Sequence, residues 1–130
     1  MCSSDLTGDA VALLAAAGKD IVLLETVGAG QGDVEVVKLA DIILVVLTPR
    51  AGDDIQMFKA GIMEIADVFV LNKSDLAGTE KLEAQIKAML ELGTTSQVPP
   101  RIVHTSAVDG KGTDVLTEEI LRLGAEIKKR

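Results

Sequence analysis

Apolar residues along this chain alternate between two periods, one helical and one of short solid runs. Asp9 to Ala17 has helical spacing after a capping-type residue, Thr7 or Asp9, and is expected to end at Gly18. Ile21 to Leu24 is an aliphatic run closed by Glu25 and reads as a buried strand. Gly28 to Gly32 reads as a loop, and Asp33 to Leu39 resumes helical spacing with Asp33 placed to cap it. Ile42 to Leu47 is the strongest strand signal and is stopped by Pro49. Ala51 to Ile65 predicts a helix, Val68 to Leu71 a strand, and Thr79 to Leu92 a charged amphipathic helix. After a loop over Thr94 to Pro100, Arg101 to His104 predicts a short strand and Thr113 to Lys128 a last helix. Aliphatic strands alternating with helices of this length indicate βαβ units, so the expected class is α/β with a parallel sheet flanked by helices.

Composition narrows the core. Nearly half of the 130 residues are apolar, yet only two are aromatic, both Phe. The core must therefore be built from Val, Ile, Leu, Ala and Met, which suits parallel strands covered on both faces. Twenty acidic against thirteen basic residues give a net charge of −7, which argues against a nucleic-acid or anionic-membrane partner. One cysteine, Cys2, leaves no internal disulfide and no cysteine-based metal cluster. With neither a signal-peptide pattern nor an apolar run of spanning length, the expected compartment is the cytoplasm. Residues 7–130 read as one domain. Met1 to Leu6 does not continue the pattern of the residues after it and reads as a non-native head.

Candidate chemistry lies at the strand ends, because ligands of open parallel sheets bind outside the carboxyl ends of the strands. Asn72-Lys73-Ser74-Asp75 directly follows the Val68–Leu71 run. A carboxylate at Asp75 can accept hydrogen bonds from both the N1–H and the 2-amino group of guanine, a pair that adenine does not offer. Each such bond to a charged group is worth about 1.5–3 kcal/mol, enough to discriminate strongly against ATP. Lys73 can lay its stem along the base, and Asn72 can tie the loop to its neighbours. Thr105-Ser106-Ala107 ends the next strand, where small residues let backbone N–H groups approach the guanine carbonyl oxygen. Glu25, at another strand end, is placed to hold Mg²⁺ through its waters, and Gly28 could bring a backbone N–H to the γ-phosphate.

A competing reading takes Gly28-Ala29-Gly30 as the start of a dinucleotide fingerprint, Gly-x-Gly-x-x-Gly. The third glycine would fall at position 33, which is Asp33, and a carboxylate beside a pyrophosphate is repulsive. His104, the sole histidine, reads as structural, and Met57, Met63 and Met89 read as core fillers within helices.

These motifs and the strings around them closely resemble the MeaB/ArgK-type GTPases over residues 7 to about 92. The distinctive string runs from Glu25 to Asp33, supported by Pro49 to Gln56, Lys59-Ala60-Gly61, Ala66-Asp67 and Asn72 to Asp75. The resemblance implies a P-loop NTPase fold of the SIMIBI type. It also implies a GTP- and Mg²⁺-dependent chaperone that protects methylmalonyl-CoA mutase and controls its loading with adenosylcobalamin. By that resemblance Glu25 serves Mg²⁺, Gly28 the γ-phosphate, and Asn72, Lys73, Asp75, Ser106 and Ala107 the guanine. Asp53, Gln56 and Lys59 would lie in a loop that signals nucleotide state to the mutase, and the intact family member would be a homodimer.

The departure from the family pattern is large. No Gly-x-x-x-x-Gly-Lys-Ser/Thr occurs in the chain. In the family, the strand before that loop lies between those equivalent to Ile21–Leu24 and Ile42–Leu47. The sheet is therefore expected either to leave a gap there or to close across it, exposing aliphatic surface in both cases. Two alternatives stay open: a metal-insertion GTPase of the hydrogenase or urease type, whose Cys/His ligands are lacking, and a non-hydrolysing partner-binding module acting through Pro49–Gly61.

Overall fold

A computed structural model describes residues 3–26, 37–49, 61–93 and 98–129. They form two compact units, Met1–Asp41 and Ile42–Arg130.

In the first unit, helix α1 spans Ser3–Ala16. It starts upstream of the capping residues Thr7 and Asp9, which lie inside it. No proline interrupts this stretch, and a single glycine within a helix, here Gly8, costs only about 1 kcal/mol relative to alanine. The strand expected over Ile21–Leu24 does not form. Ile21 is 54% and Leu23 80% exposed. A strand exists only by exchanging backbone hydrogen bonds with a neighbour, and no described residue supplies one here. The expected helix over Asp33–Leu39 lies almost wholly outside the described residues.

The second unit holds a parallel sheet of three strands, β1 (Leu44–Leu47), β2 (Val68–Leu71) and β3 (Arg101–His104), in the order β1-β2-β3. Both pairings are parallel, with Leu44 opposite Val68 and Val68 opposite Arg101. The last two strands match the expected bounds, whereas β1 starts two residues later than the apolar run. Of the helix expected over Ala51–Ile65, residues 51–60 lie outside the described residues, and Gly61 is a left-handed turn at φ 74°, so helix α2 is the separate short element Ile62–Ile65. Helices α3 (Thr79–Gly93) and α4 (Thr113–Ile127) follow β2 and β3.

All four residues of β2 are buried, as a central strand covered on both faces requires. One face places Val45, Leu47, Phe69 and Leu71 against Leu82, Ile86 and Leu90 of α3, which recur on one side of that helix at spacings of four. The other face places Val68, Val70 and Val103 against Leu116 and Leu123 of α4. The sheet is thus flanked by helices on both sides, an α/β fold. Among the described residues β1 pairs with β2 alone, and its Val46 is 54% exposed. Neither expected outcome is seen: Ile21–Leu24 forms no strand, and the described sheet ends at β1.

Charged groups secure the sheet at the end where its strands begin. The Ile43 N–H donates to the Asp67 carboxylate at 2.8 Å, while the Asp67 and Val68 amides both donate to the Ile43 carbonyl. Asp67 thereby locks the entries of β1 and β2. At the start of β3, Arg101 donates to Glu119 of α4 at 2.8 Å, and Arg122 holds the same carboxylate from one helical turn on. Glu119 is 2% exposed, and its two guanidinium partners satisfy a charge that would be costly to bury alone. No described helix is long and apolar enough to cross a membrane.

Candidate functional site

The carboxyl ends of all three strands converge, since parallel strands in register finish on one side. Leu47, Leu71 and His104 are register partners there. The next residues along the chain, Thr48, Asn72 and Thr105, therefore leave the sheet from the same edge.

Two loops leave this edge beside one another and are joined by four hydrogen bonds. The Thr105 N–H donates to the Leu71 carbonyl at 2.9 Å, and the Ser74 N–H returns a bond to the Thr105 carbonyl at 3.0 Å. The Asn72 amide oxygen accepts from the Thr105 hydroxyl and from the Ala107 N–H, each at 3.3 Å. The Asn72 N–H itself donates to the Leu47 carbonyl at 2.8 Å, adding the end of β1 to the assembly. Asn72 therefore performs the tying role expected of it, through its side chain and its backbone together.

Lys73 occupies the left-handed region at φ 56°, uncommon for a residue with a side chain. That turn brings the Leu76 N–H onto the Lys73 carbonyl at 2.9 Å and leads into α3, where the Thr79 hydroxyl donates to the Leu76 carbonyl. Backbone strain of this kind, about 1–3 kcal/mol, persists where surrounding contacts enforce it and is concentrated at functional sites. Lys73 and Asp75 are both exposed, and neither side chain has a partner among the described residues. The tight turn is thus held by Asn72 and Ser74, while the two groups able to meet a base remain available.

On the second loop, Thr105 and Ser106 are buried and Ala107 is exposed. The Ser106 hydroxyl donates to Asp109 at 3.0 Å, and the Asp109 N–H donates to the Ser106 carbonyl. The Ser106 N–H donates to the Lys111 carbonyl at 2.9 Å, closing the 107–111 turn with an antiparallel bridge. The Ser106 amide is committed to the turn at 2.9 Å, whereas the Ala107 amide makes only the longer 3.3 Å bond to Asn72, so a carbonyl oxygen of a bound base would share or replace that weaker bond.

The remaining site candidates are placed differently. Glu25 is exposed at the end of the Ile21–Leu24 segment, in the first unit, and has no partner among the described residues. Gly28, Asp53, Gln56 and Lys59 lie outside the described residues. His104 makes a structural contact at the surface: its Nε2 is 2.9 Å from a Glu83 carboxylate oxygen on α3, and the residue is exposed. Glu83 also pairs with Lys87, whose hydrogen bond holds the carboxyl below its ordinary range against the opposing effect of desolvation. Sequence reasoning missed the closing turn, whose signal is Gly110-Lys111-Gly112, two glycines bracketing a lysine just before a helix.

The model of the family described as methylmalonyl Co-A mutase-associated GTPase MeaB matches residues 2–130 of this chain. A protein of Pyrococcus horikoshii named as a GTPase is 41% identical over 121 residues, 90% of this chain and 38% of its own length. The mouse mitochondrial methylmalonic aciduria type A homolog is 36% identical over 82% of this chain and 27% of its own length. The GTPase ArgK of Escherichia coli is 34% identical over 84% of this chain and 34% of its own length. The chain thus spans roughly a third of the curated relatives it matches. The paired strand-end loops and the family match along the whole chain lead to one conclusion: this chain belongs to the MeaB family of methylmalonyl Co-A mutase-associated GTPases.

Proposed function

We propose that the chain supplies the guanine-reading part of a GTP-hydrolysing metallochaperone. The protein it belongs to would protect methylmalonyl-CoA mutase and gate its loading with adenosylcobalamin. The observation that carries the reading is the division of labour between Asn72 and its loop neighbours. Asn72 fastens the two loops, leaving Asp75 and Lys73 exposed and unpaired among the described residues. Asp75 would accept the N1–H and 2-amino protons of guanine, Lys73 would lie along the base, and the amide of Ala107 would meet the carbonyl oxygen. Buried Ser106 supports that amide through Asp109 and Lys111.

Mg²⁺ fits the chain's residues only in part. Glu25 is an exposed, uncommitted carboxylate, the chemistry needed to hold a hydrated Mg²⁺ through its waters. When bound with GTP, the ion would neutralise charge on the phosphates. One carboxylate does not make a metal site, so phosphate oxygens and further groups must complete it. Gly28 would bring a backbone N–H to the γ-phosphate. Asp53, Gln56 and Lys59 would report nucleotide state to an adenosylcobalamin-dependent acyl-CoA mutase. The whole protein would act in the cytoplasm as a homodimer.

Without a Gly-x-x-x-x-Gly-Lys-Ser/Thr loop, this chain has little to hold the phosphates. Titration of the chain with a fluorescent N-methylanthraniloyl GTP is expected to show affinity several orders of magnitude below that of a complete GTPase. Mg²⁺-dependent binding in the micromolar range contradicts this. For the mutase role, the full-length protein is expected to bind methylmalonyl-CoA mutase in a nucleotide-dependent way. D53A and Q56A should abolish that dependence while leaving GTP affinity unchanged. Identical mutase binding with GTP, GDP and no nucleotide contradicts the chaperone reading.

A further inference from the structure

The closing turn after Ala107 depends on Gly112. Its φ is 75°, and a Cβ added there would lie 1.9 Å from the His104 carbonyl oxygen and 3.3 Å from the Thr105 Cα. Those atoms are backbone at the end of a sheet strand, so nothing flexible can yield. At Gly110, in the same turn and also left-handed at φ 69°, a Cβ would meet nothing within 4 Å. Both glycines satisfy a backbone requirement, but only Gly112 satisfies a spatial one.

The crowded contact lies directly beneath the second base-reading loop. His104 and Thr105 precede Ser106 and Ala107, and the Lys111 carbonyl, one residue before Gly112, accepts the Ser106 N–H. The turn can therefore close on the strand end only where position 112 has no side chain. With the turn closed, the Ala107 amide donates to the Asn72 oxygen at 3.3 Å, a long bond that a base carbonyl oxygen would share or replace. We infer that Gly112 is a positioning residue of the guanine site: by letting the 107–111 turn close on His104–Thr105, it holds the Ala107 amide where the guanine carbonyl oxygen binds. This rests on the guanine reading above and extends it to one edge of the base. Asp75 reads the N1–H and 2-amino edge from a different loop and does not need the turn.

The two edges can be separated with nucleotides that differ by one group. Inosine monophosphate keeps the carbonyl oxygen of guanosine monophosphate and lacks the 2-amino group. 6-Thioguanosine monophosphate keeps N1–H and the 2-amino group and presents sulfur, a weak acceptor, in place of the oxygen. Dissociation constants are read from amide shifts of the whole chain in NMR titrations. The unaltered chain is expected to bind guanosine monophosphate roughly tenfold more tightly than either analogue, the effect of one lost hydrogen bond. In G112A the preference over 6-thioguanosine monophosphate is expected to collapse towards one, while that over inosine monophosphate persists. G110A, strained but not crowded, should keep both.

Retention of both preferences in G112A overturns the inference, as does loss of both, which marks general disruption of the site. Should G112A not fold, a glycine inserted between Lys111 and Gly112 removes the Ser106–Lys111 closure without adding a side chain. It is expected to lose the same single preference, and full retention again overturns the inference. If the unaltered chain binds guanosine and adenosine monophosphates alike, the guanine reading itself falls, and the inference falls with it.

Discussion

The hydroxyl of Thr105 donates to the side-chain oxygen of Asn72 across two strand-end loops, at 3.3 Å. The distance is long for a hydroxyl donor, and the same oxygen also takes the Ala107 amide at 3.3 Å. One acceptor thus serves two donors, one of which belongs to a residue only 4% exposed. Substituting Asn72 removes that acceptor and leaves the buried hydroxyl without it, a cost of about 1–3 kcal/mol. N72A is therefore expected to lower the thermal midpoint and also to weaken guanosine monophosphate binding, because the loop that carries Ala107 loses its tie to the loop that carries Asp75. T105V removes the donor instead and should lower stability less. Calorimetry and NMR titration of the two variants check this order.

Glu119 makes the chain acid-sensitive in a defined window. Hydrogen bonds from Arg122, and then from Arg101, pull its carboxyl from an ordinary 4.5 down to about 2, against the opposing effect of desolvation. Because the folded-state value is the depressed one, its stabilisation is complete above about pH 4.5 and is lost as the pH falls towards 2. E119Q should unfold more easily at neutral pH, by about 2 kcal/mol or more, since the two guanidinium groups lose the negative charge and one of its two acceptor oxygens, and the amide NH2 that replaces it faces donors. Its stability should also depend less on pH across that window. Urea titrations at several pH values compare the slopes.

Phe69 lies at the centre of the sheet with no exposure, packed between β1 and α3. The chain has two aromatic residues and an otherwise aliphatic core, so the space it fills cannot be recovered by small shifts. F69A is expected to cost about 3–5 kcal/mol. For a unit whose sheet has three strands, that should abolish the cooperative thermal transition followed by circular dichroism.

Periodicity located β2, β3, α3 and α4 closely because each carries its own signal. The solid run Val68–Leu71 is bounded by Asp67 and Asn72, and Leu82, Ile86 and Leu90 mark one helical face. The Asn72–Asp75 and Thr105–Ala107 loops were legible for the same reason, since a parallel register puts both at one edge. Ile21–Leu24 carries the same aliphatic signal and forms no strand, because a strand is a property of a pair and no described residue pairs with it. Gly110-Lys111-Gly112 signals a turn, but the spatial requirement at Gly112 was not legible. Its requirement comes from the His104 carbonyl, eight positions away, and only the fold brings the two together.

The His104–Glu83 pair was likewise unreadable, since it joins β3 to α3 across 21 positions. H104A should cost stability by about 1 kcal/mol or less, as an exposed pair does, and leave nucleotide binding unchanged. A thermal scan with and without guanosine monophosphate distinguishes that role from a ligand-contacting one.

If Asp75 reads the base, a change at position 75 should change which base is preferred. Xanthine keeps N1–H but carries an oxygen where guanine has its 2-amino group. The Asp75 carboxylate can only accept, whereas an asparagine amide there accepts from N1–H and donates to that oxygen. NMR titration of the D75N chain with guanosine and xanthosine monophosphates should show the preference reversed, by about tenfold or more. Unchanged preference for guanosine monophosphate in D75N would contradict base reading by Asp75.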